Sequence, residues 1–83
     1  MKPGDLVQCK PYPSSPIEQD DLFKFNEEHS LMCRGEFRYN LSDLAFILKE
    51  KEFRDFNGEW IMWLNVMFPT GIGWLPASYM EPV

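Results

Sequence analysis

The sequence is poor in the residues that mark most metal sites and disulfide scaffolds. It has two cysteines and one histidine among 83 residues. Cys9 and Cys33 lie far apart and show no CxxC or Cys/His spacing, whereas a structural metal site needs about four ligands in a fixed geometry. We therefore expect no metal, and we interpret both cysteines as small buried or half-buried apolar residues. They would form a disulfide only in an exported protein.

Positive charge is also scarce. Eight Lys and Arg stand against thirteen Asp and Glu, which gives a net charge of −5. Nucleic-acid-binding proteins usually present a basic face, so this balance disfavours DNA, RNA and anionic membranes as partners. No apolar run reaches the about 18 residues of a membrane-spanning helix. Met1 to Asp5 contains no apolar signal-peptide segment, and we expect a cytoplasmic protein.

The sequence contains no recognisable catalytic constellation. His29 lies in an acidic, loop-like stretch without a neighbouring nucleophile or orienting group, so we expect a solvated side chain. Residues 71–73, Gly-Ile-Gly, are not a phosphate loop, because no Lys-Ser/Thr pair or helix follows them. Those glycines are expected to serve a turn and a close approach of strands. We predict no enzymatic activity and no cofactor.

Turn-forming residues and aromatic rings are abundant instead. The chain has seven Pro, five Gly and 16% aromatic residues, which predicts short strands and turns with a thin core built from large rings. One domain covering residues 1–83 is expected. The first strand is predicted over residues 5–10, because Pro11, Pro13 and Pro16 remove the backbone donors that a ladder needs.

The middle of the chain supports several interpretations. A helical turn or two from Pro16 towards Phe25 is one, and a long structured loop serves equally well. A small hairpin around Arg34-Gly35 could follow. Residues 43–52 have helical propensity but also alternate as a strand does, and we predict a strand because a hairpin partner comes next.

The end of the chain gives the clearest pattern. Asn57-Gly58 is a strong hairpin signal, since both residues tolerate positive φ. Residues 59–68 then alternate as a central strand. One face of this strand is predicted to lie wholly in the core: Trp60, Met62, Leu64, Val66 and Phe68. The opposite face carries Ile61, Trp63, Asn65 and Met67, which is unusually apolar for a solvent-facing row.

The run from Gly73 to Glu81 (Gly-Trp-Leu-Pro-Ala-Ser-Tyr-Met-Glu) has the order of residue types that closes a Src-homology-3 (SH3) barrel. Residues 57–83 together resemble the second half of that family. The resemblance implies a mostly β protein, a five-stranded SH3-like barrel with a long first loop and a short 3-10 turn before the last strand. The family's Ala-Leu-Tyr-Asp-Tyr motif is absent, and Tyr12 is at most one remaining tyrosine of it.

The same resemblance implies a site for a protein or peptide partner. Trp63, Pro76 and Tyr79 match the rings that form the family's grooves for polyproline II peptides. Tyr12 is a further candidate for partner binding, although half of each proline-binding groove is missing or replaced. Acids of the first loop would bind a basic residue of the ligand, and this loop carries Asp20, Asp21, Glu27 and Glu28. An alternative is that Trp63 packs under the long loop instead of lying at the surface.

The opening residues Met-Lys-Pro-Gly-Asp-Leu-Val resemble those of small tailed-bacteriophage proteins. We therefore expect a non-catalytic protein–protein interaction module of viral origin, located in the host cytoplasm or the virion, with a basic or proline-rich ligand. One alternative is a structural virion-associated subunit that forms a homodimer through Ile61, Trp63 and Met67. A small-molecule-binding protein is the third hypothesis.

Overall fold

One antiparallel sheet accounts for nearly all regular structure in the computed structural model, which describes residues 1–10, 19–28, 31–55 and 57–83. Over these residues the sheet has seven strands. Their order across the sheet is β3-β2-β6-β5-β4-β1-β7, so β3 and β7 are the edge strands. The strands are β1 (Leu6–Cys9), β2 (Gln19–Asn26), β3 (Leu31–Asn40), β4 (Leu44–Arg54), β5 (Trp60–Phe68), β6 (Gly71–Pro76) and β7 (Met80–Pro82). A 3-10 turn, Ala77–Tyr79, precedes β7.

The mostly β prediction is confirmed, as are several of its elements. Residues 44–52 lie within β4, which is a strand and not a helix and pairs with both β1 and β5. The hairpin at Asn57-Gly58 is present, and Gly58 adopts the positive φ of +79° that the turn requires. Its backbone N–H donates to the Asp55 carbonyl at 3.1 Å. The 3-10 turn also lies where it was predicted.

The predicted long first loop differs from the structure, because most of it is a strand hairpin. The prediction of a helix that extends towards Phe25 is wrong, since Phe25 belongs to strand β2. The local hairpin around Arg34-Gly35 is also wrong, because β3 runs straight through it and pairs with β2. Pairing with a whole strand satisfies more backbone groups than a tight turn would. The first part of the proposed helix, residues 16–18, lies outside the described residues.

Close backbone approach explains two glycines in this region. A Cβ on Gly73 would lie 2.6 Å from the Leu22 Cβ, where β6 meets β2. A Cβ on Gly35 would lie 2.6 Å from the Leu22 carbonyl oxygen, at the irregularity in the β2–β3 register. The prediction that residue 73 needs glycine for close strand approach is therefore confirmed.

Two apolar clusters lie on opposite faces of the sheet. The main core contains Val7, Cys9, Leu22, Tyr39, Ala45, Ile47, Leu64, Val66, Phe68, Leu75 and Met80. The second cluster is built from Met32, Phe53 and Trp63, with Phe23, Phe25, Ile61 and Trp74 packed against it. β5 contributes to both clusters and pairs with β4 on one side and β6 on the other.

The predicted core row of β5 is only partly correct. Leu64, Val66 and Phe68 are buried, but Trp60 is 62% exposed and Met62 is 39% exposed. The first residues of β5 extend beyond the main core. At that end of the strand the opposite face is the buried one, because β2 and β3 cover it.

Candidate functional site

A shallow depression of about 200 Å³ opens beside the second cluster. Its walls come from β2, the β4–β5 connection, β5, β6 and the 3-10 turn. The lining residues are Phe23, Asp55, Ile61, Trp63, Pro76, Ser78 and Tyr79. Three of the residues selected from the sequence, at positions 63, 76 and 79, therefore share one site.

Strand register and the 3-10 turn bring these three residues together. Trp63 on β5 lies opposite Pro76 on β6 in the antiparallel ladder. Pro76 then precedes the 3-10 turn, whose tight geometry returns the chain towards β5 and places Tyr79 at the same depression. The residues of the Pro-Ala-Ser-Tyr motif thus form one wall of the site, through Pro76, Ser78 and Tyr79.

Trp63 lies on the predicted face of β5, but the prediction that it is a surface residue is wrong. Only 2% of it is exposed. Phe23 on β2 meets its ring edge-to-face, with 5.4 Å between ring centroids, and Met32 on β3 belongs to the same cluster. The alternative that Trp63 packs beneath the first-loop segment is the correct one.

The indole N–H of Trp63 is a buried donor without an acceptor among the described residues. Buried donors are nearly always paired, and leaving one unpaired costs about 1–3 kcal/mol. Trp63 lines the depression, so this unpaired buried donor belongs to a residue of the candidate site.

The predicted acidic residues do not line the depression. Asp21 instead pairs with Arg34 at 2.9 Å and Arg38 at 3.4 Å on β3. Asp20 is exposed on β2, where its carboxylate accepts the backbone N–H of Asp21. Glu27 and Glu28 are exposed in the turn after β2. Tyr12 lies outside the described residues.

Asp55 is the acid at the site, and the sequence reasoning missed it. Its Oδ1 accepts backbone N–H groups of Asn57 and Glu59, each at 2.9 Å. An aspartate two residues before Asn-Gly is well placed to cap that turn, which is the signal that could have located it. The turn holds the carboxylate at the mouth of the depression.

The cysteines behave as small apolar residues. Cys9 is buried in the main core and Cys33 on β3 is half-buried, and both are free thiols. Burial raises the pKa of the Cys9 thiol, because removal from water penalises the thiolate. Over the described residues no group of three or more His, Cys, Asp or Glu side chains could hold a metal ion. His29 lies outside the described ranges.

No family model, curated protein or solved structure matches this chain. Within the described ranges, the structure contains no helix with the length and apolar character needed to cross a membrane.

Proposed function

We propose that this protein is a non-catalytic, SH3-like interaction module that binds an extended peptide at the depression around Trp63, Pro76 and Tyr79. The observation that carries the proposal is the convergence of these three residues on one depression. They are separated by up to sixteen positions in the chain. The SH3 resemblance had selected them for the same role.

The sheet order supports the SH3-like assignment. Strands β7, β1, β4, β5 and β6 are consecutive neighbours. The β2–β3 hairpin is inserted between the first and second of these five in sequence, where an enlarged first loop was expected. The five-stranded unit with this insertion is the arrangement that the proposal requires.

The lining of the depression defines the chemistry of the ligand. Its volume suits one or two side chains of a peptide, and its apolar walls suit the ring of a proline. Asp55 places a carboxylate beside these walls, which favours a neighbouring Arg or Lys in the ligand. Trp63 Nε1 is buried, so a ligand carbonyl would satisfy this donor only if binding displaces the side chains that cover it.

The test is a titration with a synthetic proline-rich peptide that contains one arginine, followed by the indole N–H signals in heteronuclear NMR spectra. We expect the Trp63 signal to shift as the peptide binds. Trp60 serves as an internal control, because it is 62% exposed and does not line the depression. An unchanged Trp63 signal at about millimolar peptide would overturn the proposal.

Two variants separate the apolar walls from the charge. Tyr79→Ala should abolish binding, because it removes one wall of the depression. Asp55→Asn keeps the Oδ1 that caps the turn but removes the charge. It should therefore lower the affinity for the arginine-containing peptide, and it should leave unchanged the affinity for a peptide in which glutamine replaces that arginine. Asp20→Asn is the matched control, since Asp20 is exposed and lies outside the lining.

The other functional hypotheses remain predictions. Viral origin and cytoplasmic location rest on the sequence alone. Self-association through Ile61, Trp63 and Met67 has little support, because Trp63 is buried within its own chain. Binding of a small molecule at the same depression would be recognised by a Trp63 shift with small aromatic compounds but none with peptides.

A further inference from the structure

Four apolar residues lie side by side across four strands and form a continuous row. Leu6 on β1 pairs with Phe46 on β4, Phe46 with Met67 on β5, and Met67 with Ile72 on β6. Neighbouring strands are about 4.8 Å apart, so the row is about 14 Å long. Phe46, Met67 and Ile72 are 47%, 40% and 50% exposed, and Leu6 is half-buried.

This apolar row is separate from the depression, although both lie on the same face of β5. Trp63 and Met67 are four residues apart and project to the same side. Side chains of β2 and β3 cover Trp63, which is 2% exposed. Met67 has less cover from the described residues and is 40% exposed. Solvent-facing rows of antiparallel sheets are usually polar, so an uncovered apolar row across four strands indicates an interaction surface.

We propose that the apolar row (Leu6, Phe46, Met67 and Ile72) is the contact surface between two copies of this chain, related by a two-fold axis. Such an interface uses the same patch on both copies. With the axis between Phe46 and Met67, Phe46 of one copy packs on Met67 of the other, and Leu6 packs on Ile72. A thioether against an aromatic ring is a favourable contact.

The charges at the ends of the apolar row favour a second copy over a basic partner. Lys2 and Asp5 lie at the Leu6 end, where the backbone N–H of Lys2 donates to the Asp5 carboxylate at 2.8 Å. At the other end, Lys24 and Glu36 line a second, separate depression together with Ile72. Among the described residues, each end of the row thus has an acid and a base beside it. Two copies of a chain with net charge −5 therefore meet without a local excess of negative charge.

The size of the apolar row predicts a weak dimer. Half-exposed side chains of this kind present on the order of 100 Å² each, so the row and its margins supply about 400–500 Å² per copy. That is near the lower limit for a specific interface and corresponds to reversible association. The monomer and dimer should therefore exchange as concentration changes.

Sedimentation equilibrium from about 20 to about 500 µM tests the proposal. We expect the wild-type chain to pass from monomer to dimer, and Phe46→Thr to raise the dissociation constant by about tenfold or more. Ile72→Thr tests the row independently, in case Phe46→Thr disturbs the fold. The matched control is Trp60→Thr, because Trp60 is the most exposed of the large aromatic residues and lies outside the row.

Three results would overturn the proposal. The chain could remain monomeric at the highest concentration. Dimers could persist unchanged in both Phe46→Thr and Ile72→Thr. Trp60→Thr could weaken the dimer as much as the row variants do, which would indicate non-specific apolar association. None of these results bears on peptide binding at the depression, because none of the four residues of the apolar row lines it.

Discussion

Individual residues of β5 show why burial does not follow from alternation alone. Asn65 and Trp63 lie on the face that the alternation assigned to solvent, yet Asn65 is 9% exposed and Trp63 is 2% exposed. Asn65 is accommodated because its Nδ2 donates to the Gly73 carbonyl at 3.1 Å. Buried residues on both faces of β5 therefore stabilise the fold, and substitution of a buried residue on either face should be costly.

The cost of substitution along β5 tests this view. Leu64→Ala should lower the free energy of unfolding by about 2–5 kcal/mol, because Leu64 is fully buried in the main core. Asn65→Ala should cost about 1–2 kcal/mol through loss of its hydrogen bond. Met62→Ala, at an exposed position, should cost under about 1 kcal/mol. Urea denaturation measures all three, and equal costs for Asn65→Ala and Met62→Ala would contradict the burial of Asn65.

At the scale of elements, the β2–β3 hairpin decides what the rest of the sheet exposes. It joins the sheet through one ladder pair, Phe23 with Trp74, and through apolar side chains that cover Trp63. Its own ladder changes register between Asp21 and Phe23, opposite the β3 segment that contains Gly35. Gly35 is therefore the residue on which the shape of this hairpin depends.

Gly35→Ala should destabilise the protein more than Gly58→Ala. The new Cβ at residue 35 would meet the Leu22 backbone oxygen at 2.6 Å, and backbone cannot move aside as a flexible side chain can, so we expect a cost of about 1–3 kcal/mol. The new Cβ at residue 58 meets nothing within 4 Å. Its cost, about 1 kcal/mol, comes only from the positive φ.

Thermal denaturation of the two variants provides the measurement. Chemical shifts of β2 and β3 should move widely in Gly35→Ala, while those of Gly58→Ala should change only around the turn. A Gly35→Ala protein that matches the wild type in both respects would show that the hairpin does not pack as described.

The whole molecule consists of two apolar clusters that share β5. The strand has β4 on one side and β6 on the other, and its two faces contribute to different clusters. The β2–β3 hairpin contributes to both clusters as well, but among the described residues it has one ladder pair with the rest of the sheet. Stability should therefore be highest in β5 and lower in the hairpin.

Hydrogen exchange should reveal this gradient. Backbone amides at the centre of β5, such as those of Leu64 and Val66, should exchange only on global unfolding, while amides of β3 exchange through smaller openings. The edge position of β3 and its single neighbouring strand, β2, are the physical reasons. Uniform protection of β3 and β5 would indicate that the hairpin and the rest of the sheet unfold as one unit.

The sequence by itself determined the features that depend on local chemistry. Positive φ at Gly58 follows from the Asn-Gly pair, and the 3-10 turn follows from the Pro-Ala-Ser-Tyr order. Alternation placed β5 and showed which of its residues share a face, but it did not predict that Trp60 and Met62 are exposed or that Trp63 is buried. The match of Trp63, Pro76 and Tyr79 to a known pattern predicted that these three residues share a site, but it did not predict Asp55.

Only the tertiary structure decided what each face meets. The β2–β3 hairpin covers Trp63 and leaves Met67 uncovered, although both lie on one face of one strand. The position of the Asp55 carboxylate at the depression depends on the folded turn, whose backbone N–H groups bind it. The Asp21 carboxylate instead forms ion pairs with two arginines on the neighbouring strand. Local patterns determine the direction of a side chain, but burial and pairing are set by strands that are distant in sequence.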